Sequence, residues 1–520
     1  MKKTFQRENS CRPLDFEALE NRDLLTAVYV TSEDDSGQGT FRHAMNLANL
    51  IPDVDRILFR GNVEEIVLNS PIQFLGPQTL TINGLNANIR PNNALDSFSL
   101  IESGGGGELR VRNLKLQGGD AGISVAVPAN MQTDVKLVTA NVQISEAYIG
   151  IRIIDAEQRR DEEGNKHYGS DFGIFARLFN SDISDQLYRG VVVQEHGSGD
   201  IDLRVIKSNV SRNGGKGIEV RENGLGDMSG NIVRSTLSEN VDEGAEFKEW
   251  NEGHQNVLIL DSVFENNAID NNFFGAALEE TGEGDTRARV TRSKFIGNGN
   301  SSDSHRGDGR DTGGLRVKER QQGLLQIKAI DSEFNLSKRG NGIEFEERDA
   351  GPVRIYLDRV KVLNNESGIW GEEEDFGDLI FRANQLEVSN FFYYGIHIEE
   401  EDQGNANLVF ESLVSTNRRT GEHFSHIQAR ARHEGELRFR VLDSTIESTI
   451  GEMFGGISFT APDNVMGWFE DTTVTGNRNG IYVSQYDDLL DQGTVYLKNT
   501  QSFDNLDSDF GWQGIDPVWR

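Results

Sequence analysis

The chain lacks several features on which other protein classes depend. Its 520 residues include a single cysteine, Cys11, and only nine prolines. One cysteine excludes an internal disulfide framework and a cysteine-rich metal site, and so few prolines exclude a proline-rich linker protein. No apolar run approaches the roughly 18 residues that a membrane-spanning helix needs. With 56 glycines, the composition instead indicates a turn-rich chain without a transmembrane segment.

Basic side chains are also scarce relative to acidic ones. The chain has 52 lysines and arginines against 84 aspartates and glutamates, a net charge of −32. This balance argues against a nucleic-acid partner, because phosphates need basic neutralisation. It also disfavours polyanionic glycans unless a divalent cation bridges the two.

The segment Leu324–Gly351 shows what is present instead. Leu325 and Ile327 alternate with polar residues, and Ile343 and Phe345 do the same on the far side of a polar turn. This alternation predicts two short strands, each with one apolar face. One such unit cannot bury its apolar face alone, so the fold depends on neighbouring copies of the unit.

Two markers show that the unit repeats. A glycine followed by an aliphatic residue recurs with a period near 27 residues, with a few longer insertions, at Gly150, Gly190, Gly217, Gly244, Gly275, Gly314, Gly342, Gly368, Gly395, Gly456 and Gly480. An asparagine recurs in phase with it, at Asn213, Asn240, Asn267, Asn298, Asn417 and Asn477. Asparagine suits tight turns and can hydrogen-bond to its own stacked copies. The repeat therefore predicts a solenoid in which these asparagines are structural.

This pattern resembles the right-handed parallel β-helix repeats of the pectate-lyase-like class. The resemblance covers residues 76–505 and implies an all-β, single-stranded solenoid of about 12–15 rungs. At about 4.8 Å per rung, a dozen rungs form a rod on the order of 60 Å long. The predicted interior consists of Ile218, Val220, Phe247, Leu278, Leu315, Val317, Ile343, Phe345, Ile369, Ile396, Ile398, Ile457, Phe459, Ile481 and Val483.

Residues 28–75 are predicted to cap this rod with a strand, a glycine turn, a helix and two strands. Thr40 is a suitable N-cap, and Phe41, Ala44, Met45 and Ala48 form one apolar helical face. A helix over the first rung hides strand edges that would otherwise pair with other chains. The segment resembles the one that opens many bacterial β-helical surface proteins, on the residues Asp35-Ser36-Gly37, Gly39-Thr40-Phe41-Arg42 and Asp55-Arg56-Ile57-Leu58-Phe59.

The two ends are predicted to be separate segments. In residues 1–27, the stretch Pro13 to Ala27 resembles a short motif near the N-termini of many planctomycete exported proteins, which implies export; the alternative is an ordinary amphipathic helix. No apolar core of a standard secretory signal is present. Residues 506–520, with Trp512 and Trp519, are expected to fold over the last rung, or alternatively to act as a sorting signal.

The residue after each glycine-aliphatic pair is predicted to point outward and to form a ladder down the rod. We call these residues the outward ladder: Arg152, Val192, Glu219, Glu246, Ala277, Arg316, Glu344, Trp370, His397, Gln428, Ser458 and Tyr482. In enzymes of the resembled class the corresponding sheet often floors a glycan groove. Glu344, His397 and Arg316 are therefore the catalytic candidates, and Trp370 and Tyr482 join them as glycan-facing residues. Two rungs span the roughly 5–9 Å that separates the carboxyl groups of glycosidases. The alternative is a solvated surface.

The turn after each of these strands is acidic. Examples are Glu279-Glu280, Glu346-Glu347, Glu372 to Asp375, Glu399 to Asp402 and Asp487-Asp488. Stacked carboxylates repel one another and could bind Ca²⁺, for which the candidate ligands are Glu373, Asp375, Glu400 and Asp402. The alternative is a solvated acidic edge that keeps the rod soluble. No cofactor is required.

No catalytic signature of polygalacturonases or alginate epimerases is present in the sequence. We therefore predict an exported or cell-surface β-helical rod that is monomeric and has a structural, adhesive or glycan-binding role. The alternative is a polysaccharide lyase or glycoside hydrolase that works along the outward ladder.

Overall fold

The computed structural model is a parallel β-solenoid of about 15 turns, with 60% of its residues in strands and 2% in helix. The predicted fold class is therefore confirmed. The structure describes residues 26–520 except for 94–96, 105, 128–132, 156–157, 161–165, 269–272, 300–311, 419–424, 434, 449–454, 463 and 486–492. In these residues, no helix is long and apolar enough to cross a membrane.

Each turn of the coil contributes strands to three faces, which are numbered in the order in which the chain passes through them. The first face is a sheet of 16 parallel strands. Its strands are Ile72–Phe74, Ile101–Ser103, Ala121–Ala126, Ile149–Asp155, Arg189–Glu195, Ile218–Glu222, Ala245–Glu249, Phe274–Glu280, Gly313–Glu319, Asn341–Glu347, Ser367–Glu373, Tyr394–Glu400, Ser425–Ala431, Gly455–Ala461, Asn479–Gln485 and Ser508–Gln513.

The second face carries the strand that follows in each turn, usually of six residues. Its strands are Thr26–Val30, Val54–Phe59, Leu80–Pro91, Glu108–Gln117, Val135–Ser145, Ile174–Phe179, Ile201–Ile206, Met228–Val233, Gln255–Leu260, Thr286–Thr291, Leu325–Ile330, Val353–Asp358, Leu379–Asn384, Ala406–Glu411, Leu437–Leu442, Val465–Glu470, Gly493–Lys498 and Ile515–Trp519.

The third face carries shorter strands, and the ends of the three long strands that begin on the second face. The shorter strands are Glu65–Leu68, Asp182–Ser184, Asn209–Ser211, Thr236–Ser238, Val263–Glu265, Lys294–Ile296, Glu333–Asn335, Lys361–Leu363, Glu387–Ser389, Val414–Asn417, Thr445–Ser448, Thr473–Thr475 and Gln501–Phe503. A separate antiparallel hairpin pairs Gln158–Arg160 with Lys166–Tyr168.

The corner between the second and third faces is made by one residue with left-handed backbone geometry. Arg234 (φ 52°) and Asp261 (φ 51°) occupy this position in consecutive turns. Each is followed by a buried serine, and the backbone N–H of Ser235 donates to Oγ of Ser262 in the next turn at 3.1 Å. A left-handed residue followed by a small hydroxyl residue therefore bends the chain and links neighbouring turns.

The core fills the space enclosed by the three faces. All of the predicted interior residues are buried, none exposing more than 1% of its surface. Phe264, Phe295 and Phe334 stack in consecutive turns with ring centroids 4.7 and 4.9 Å apart. The structural role predicted for the asparagines is also confirmed, because Asn213 Nδ2 donates to Asn240 Oδ1 at 2.8 Å and Asn240 repeats this bond to Asn267.

The two ends of the coil differ from each other. At the N-terminal end the helix Phe41–Leu50 packs its predicted apolar face inward, and the Thr40 side chain accepts a hydrogen bond from the backbone N–H of His43. At the other end, the strands Ser508–Gln513 and Ile515–Trp519 pair in register with the turn before them. The tail thus continues the coil, rather than folding over it. The predicted export motif at Pro13 to Ala27 lies outside the described residues.

Candidate functional site

The outward ladder forms in the register that the sequence predicts. Arg316 pairs with Glu344, Glu344 with Trp370, and Trp370 with His397, all on the first face. Tyr482 lies three turns beyond His397, after Gln428 and Ser458. The stacking of the coil therefore brings the four central candidates together and leaves Tyr482 farther along the rod.

Burial is where the structure departs from the prediction. Glu344 and His397 each expose 3% of their surface, and Glu219 exposes none. Arg316, Trp370 and Tyr482 are half-buried. The expected alternative, a solvated surface, is therefore wrong for the acidic members of the ladder. An open groove floored by Glu344 and His397 is equally absent from the described residues, because a sugar ring cannot reach side chains this deeply buried.

Ion pairs account for much of this burial. Glu219 pairs with Arg189 and Arg221 at 2.6 Å each, and Glu246 bridges Lys216 and Lys248 at 2.5 and 3.1 Å. The pattern continues along the first face through Glu279, Glu346 and Glu399. Pairing with a base is what makes burial of a carboxylate tolerable. The first face thus carries a charged network in which most carboxylates already have a partner.

Two carboxyl groups of this network have opposite electrostatic environments. Burial raises the pKa of Glu344 to about 8, which outweighs the opposing effects of Arg316 and Lys318. Burial acts in the same direction on Glu399, but its hydrogen bond to His397 and the charges of Arg432 and Arg430 lower its pKa to about 2. At neutral pH Glu344 is therefore protonated and Glu399 ionised, the division between acid and base that glycoside hydrolysis uses.

Aromatic side chains surround His397. Its ring lies 4.0 Å from the Trp370 ring and 4.5 Å from the Tyr394 ring, measured between centroids. His397 Nε2 is 3.2 Å from Glu399 Oε1, and Trp370 Nε1 donates to Glu372 at 2.9 Å. The imidazole is thus enclosed by two aromatic rings and one carboxylate, which is a packed arrangement rather than an open stacking platform.

A second row of carboxyl groups lies on the inner side of the same strands. Its members end consecutive strands of the first face and pair with one another in register, and we call them the glutamate ladder: Asp155, Glu195, Glu222, Glu249, Glu280, Glu319, Glu347, Glu373 and Glu400. Every one of them has 0% exposure. They lie an even number of residues after the core residues of the same strand, such as Ile343 and Phe345 before Glu347, so their side chains point to the same inward face.

Most glutamates of this ladder accept a hydrogen bond from the backbone of the turn that follows. The backbone N–H of Gly224 donates to Glu222 Oε1 at 2.8 Å, and that of Gly351 donates to Glu347 Oε1 at 3.0 Å. The turns stack so closely that a Cβ on Gly351 would lie 1.9 Å from the carbonyl oxygen of Gly323 in the preceding turn. The glutamate and the glycine four residues later therefore act together to shape the turn.

Burial also changes the protonation of this ladder. It raises the pKa of Glu222 and of Glu347 to about 11 each, with a further contribution from hydrogen bonds to Glu195 and Glu319. The pKa of Glu319 is raised to about 7, again chiefly by burial. Among the described residues, no N–H or hydroxyl donor reaches Oε2 of Glu222 or Glu347. The raised pKa values mean that these carboxyl groups hold protons at neutral pH, and a proton shared with the neighbouring carboxyl group would satisfy these oxygens.

The acidic turns are therefore not the solvated edge that the sequence suggested as an alternative. Glu280, Glu347, Glu373 and Glu400 are buried, whereas Asp402 reaches solvent with a side-chain exposure of 45%. Asp487 and Asp488 lie outside the described residues.

The four candidate calcium ligands are split between interior and surface. Glu373 and Glu400 are neighbours in the buried ladder, whereas Asp375 and Asp402 are turn residues with φ of 78° and 79°. Asp402 pairs with His433 at 3.3 Å. Within the described part of the chain, no three His, Cys, Asp or Glu side chains are grouped as a metal ion needs. Calcium binding at these four residues stays a prediction.

The second face carries a cavity that the sequence did not indicate. It has a volume of about 390 Å³ and is lined by Asn407, Arg438, Arg440, Met466, Trp468 and Tyr496, among others. Trp468 and Tyr496 come from consecutive turns, with ring centroids 5.1 Å apart. The Arg520 guanidinium lies 5.3 Å from the Trp468 ring and 4.6 Å from the Tyr496 ring. Unlike the first-face cluster, these rings line open space.

A larger cavity of about 630 Å³ continues along the same face. Its lining includes Lys328, Tyr356, Arg382 and Glu411, and Arg440 lines both cavities. The two cavities are therefore adjacent along the rod, and we refer to them together as the second-face groove, which extends from Lys328 to Tyr496.

Comparisons with known proteins do not assign the chain to a family. No protein-family model and no curated protein matches the sequence. The catalytic domain of a GH87 alpha-1,3-glucanase, solved in complex with tetrasaccharides, is similar at a TM-score of 0.37 and 11% identity over 77% of this chain and 66% of that domain. Pre-mature gene product 12 of bacteriophage phi29 is similar at a TM-score of 0.41 and 9% identity, over 95% of this chain and 73% of that protein. At these values neither similarity assigns a function to the chain.

The glutamate ladder could be predicted from the sequence, whereas the second-face groove could not. The glutamate ladder carries a sequence signal, because Glu-x-x-x-Gly recurs in eight consecutive turns, from Glu195 and Gly199 to Glu400 and Gly404. The second-face groove has no such signal. Its residues alternate with core residues in strands that differ from turn to turn, so only their stacking identifies them.

Proposed function

We propose that the chain is an exported or cell-surface β-helical rod that binds glycan in the second-face groove without catalysis. The observation that carries this proposal is the stacked pair Trp468 and Tyr496 in the wall of an open cavity. Export rests on the resemblance of Pro13 to Ala27 to a planctomycete motif, and on the resemblance of residues 28–75 to the start of bacterial surface proteins.

The chemistry of the groove suits a sugar chain. Aromatic rings with one open side offer apolar area to the C–H faces of sugar rings, while nearby polar groups bond the hydroxyls. Arg438 supplies such a group one turn from Trp468, and Asn407 and Glu411 supply such groups two turns from it. A groove that follows the rod axis also matches a linear polymer better than a compact ligand.

A pair of tryptophan variants tests this proposal. Trp468→Ala should weaken binding to an immobilised panel of polysaccharides by about tenfold or more. The reason is that one stacking contact on an aromatic side chain contributes on the order of 1–3 kcal/mol. Trp370→Ala removes a tryptophan of the first face from a packed cluster and should leave binding unchanged. Melting curves of both variants establish that the coil is intact. Equal losses from the two variants, or none from Trp468→Ala, would contradict the proposal.

The opposed pKa values of Glu344 and Glu399 favour one second candidate, a glycoside hydrolase or polysaccharide lyase acting at the first face. This requires the cluster around His397 to open, since Glu344 exposes only 3% of its surface. A screen for new reducing ends or unsaturated uronides across a glycan panel tests the idea. Turnover that disappears in Glu344→Gln would support catalysis, and an inactive wild-type chain would remove this candidate.

A further inference from the structure

The second face carries a row of positive charge that the net charge of −32 conceals. In the strand register of consecutive turns, Arg289 lies beside Lys328, Lys328 beside Tyr356, and Tyr356 beside Arg382. The row continues through Val409 and Arg440 to Trp468 and Tyr496. From Arg289 to Tyr496 every position of the row is described, and none of them is an aspartate or glutamate. From Lys328 to Trp468 the row therefore alternates cations with aromatic or apolar side chains on one line of the rod.

The cations of this row are available to a ligand. Arg289, Lys328, Arg382 and Arg440 are exposed. Within the described residues, none of the four is in a salt bridge, although neighbouring bases of the same face are, as Arg287 is with Asp285 and Arg438 with Glu436. An arginine that already faces its own carboxylate gains little from a second anion, whereas an unpaired one keeps its hydrogen-bond donors for it.

Acidic residues line one edge of the groove and limit what can bind there. Asp358 and Glu470 are each held by a base, Arg359 and Lys498 respectively, whereas Glu411 is exposed. Glu470 also accepts a hydrogen bond from Trp468 Nε1 at 3.1 Å and lies within the electrostatic influence of Arg440. This edge repels a ligand whose charges are dense and leaves room for one whose charges are spaced apart.

Spacing identifies the ligand class. Lys328, Arg382 and Arg440 stand on alternate turns, so successive cations are about 9.6 Å apart at about 4.8 Å per turn. Duplex DNA carries one charge per about 1.7 Å of its axis, or per about 3.4 Å of each strand, which is far denser than this row. A linear polysaccharide with one acidic ring in each disaccharide repeats its charge at a distance comparable to two turns of the coil.

We infer that the second-face groove binds an acidic polysaccharide that carries one anionic group per disaccharide. Its anions bind Lys328, Arg382 and Arg440. The ring between the first two anions packs on Tyr356, and the rings beyond Arg440 pack on the Trp468–Tyr496 pair. This inference rests on the proposed function and adds the ligand class to it. It also reverses the conclusion that net charge alone suggests, because the row creates a local positive surface on an acidic rod.

The test compares one oligosaccharide in two chemical forms with the full chain. The probe is a hexasaccharide of alternating uronate and N-acetylhexosamine, and the same hexasaccharide with its carboxyl groups reduced to alcohols. We expect the wild-type chain to bind the acidic form at least about tenfold more tightly at low salt, since hydrogen bonds to charged groups are the stronger class. In Arg382→Gln/Arg440→Gln that preference should disappear while affinity for the reduced form is retained.

Arg204→Gln is the matched control. Arg204 lies in the same row farther toward the N-terminus, but Asp202 already pairs with it at 2.7 Å, so the variant should bind both forms as the wild type does. Equal binding of the two forms by the wild type would overturn the inference and leave the proposed function standing. Failure to bind either form, together with failure across the wider glycan panel, would overturn both. Tighter binding of a single-stranded oligonucleotide of equal charge would also overturn the inference.

Discussion

Two neighbouring glutamates, Glu346 and Glu347, should respond to the same substitution with opposite signs. Glu347 belongs to the buried glutamate ladder, and its pKa is raised to about 11 by burial and by its hydrogen bond with Glu319. Glu346 points the other way and is paired with Lys318 and Arg348. Burial alone would raise the pKa of Glu346, but these two bases lower it below its ordinary value.

The change in stability expected for Glu347→Gln follows from the difference between pH 7 and the pKa of an ordinary glutamate. A glutamate with an ordinary pKa of 4.5 is ionised in the unfolded chain at pH 7, whereas Glu347 is protonated in the folded chain. Taking up that proton costs about 2.5 pH units times 1.36 kcal/mol, or about 3.4 kcal/mol. Glu347→Gln is neutral in both states, keeps an acceptor for the Gly351 N–H and keeps a donor toward Glu319. It should stabilise the folded chain by up to about 3 kcal/mol at pH 7.

The size of the expected effect depends on pH in a defined way. Because the folded pKa of Glu347 is raised, its contribution to stability is fully present below the unfolded value of 4.5 and is lost as pH rises toward the folded value. The gain from Glu347→Gln should therefore shrink to less than about 1 kcal/mol at pH 5. Glu346 has a lowered pKa, so its contribution is present above the unfolded value and is lost in acid. Glu346→Gln should destabilise the chain at pH 7.

Thermal unfolding at the two pH values measures both variants. With an unfolding entropy of about 2.1 cal/mol/K per residue, a chain of this length changes its Tm by about 1 °C for each 1 kcal/mol, so Glu347→Gln should raise Tm by about 3 °C at pH 7. Glu346→Gln should lower it. A fall in Tm for Glu347→Gln at pH 7, or a gain that persists undiminished at pH 5, would show that this carboxyl group is ionised in the folded chain and would refute the shared-proton reasoning.

Two further outcomes test the turns and the metal question. Gly351→Ala should destabilise the coil at the upper end of the roughly 1–3 kcal/mol that an overpacked site costs, because the new Cβ would lie 1.9 Å from the Gly323 carbonyl oxygen. Gly61→Ala is the control. A Cβ there meets nothing within 4 Å, so Tm should stay unchanged. If Glu373, Asp375, Glu400 and Asp402 bind calcium, excess EDTA should lower Tm by mass action; an unchanged Tm would remove the calcium proposal.

Much of the fold could be predicted from the sequence because its signals are local and repeated. The glycine-aliphatic step and the asparagine recur in phase, and each reports a turn or a strand within a few residues of itself. Counting along the repeat then gives the register in which Glu344, Trp370 and His397 stack. The same counting would have identified the glutamate ladder, since Glu280, Glu347 and Glu400 end their strands at an inward position.

The burial of each side chain and the identity of its charged neighbours depend on the three-dimensional structure. Whether Glu344 faces water or an ion-pair network depends on side chains from neighbouring turns, and no pattern within one turn records that. The row from Lys328 through Arg382 to Arg440 depends likewise on stacking, because insertions of different lengths separate its members along the chain. The sequence by itself determined a parallel β-solenoid and the residues that share each line of it. The tertiary structure decided which of those lines are buried, which carry protons, and which one is open to a ligand, because these properties arise between turns.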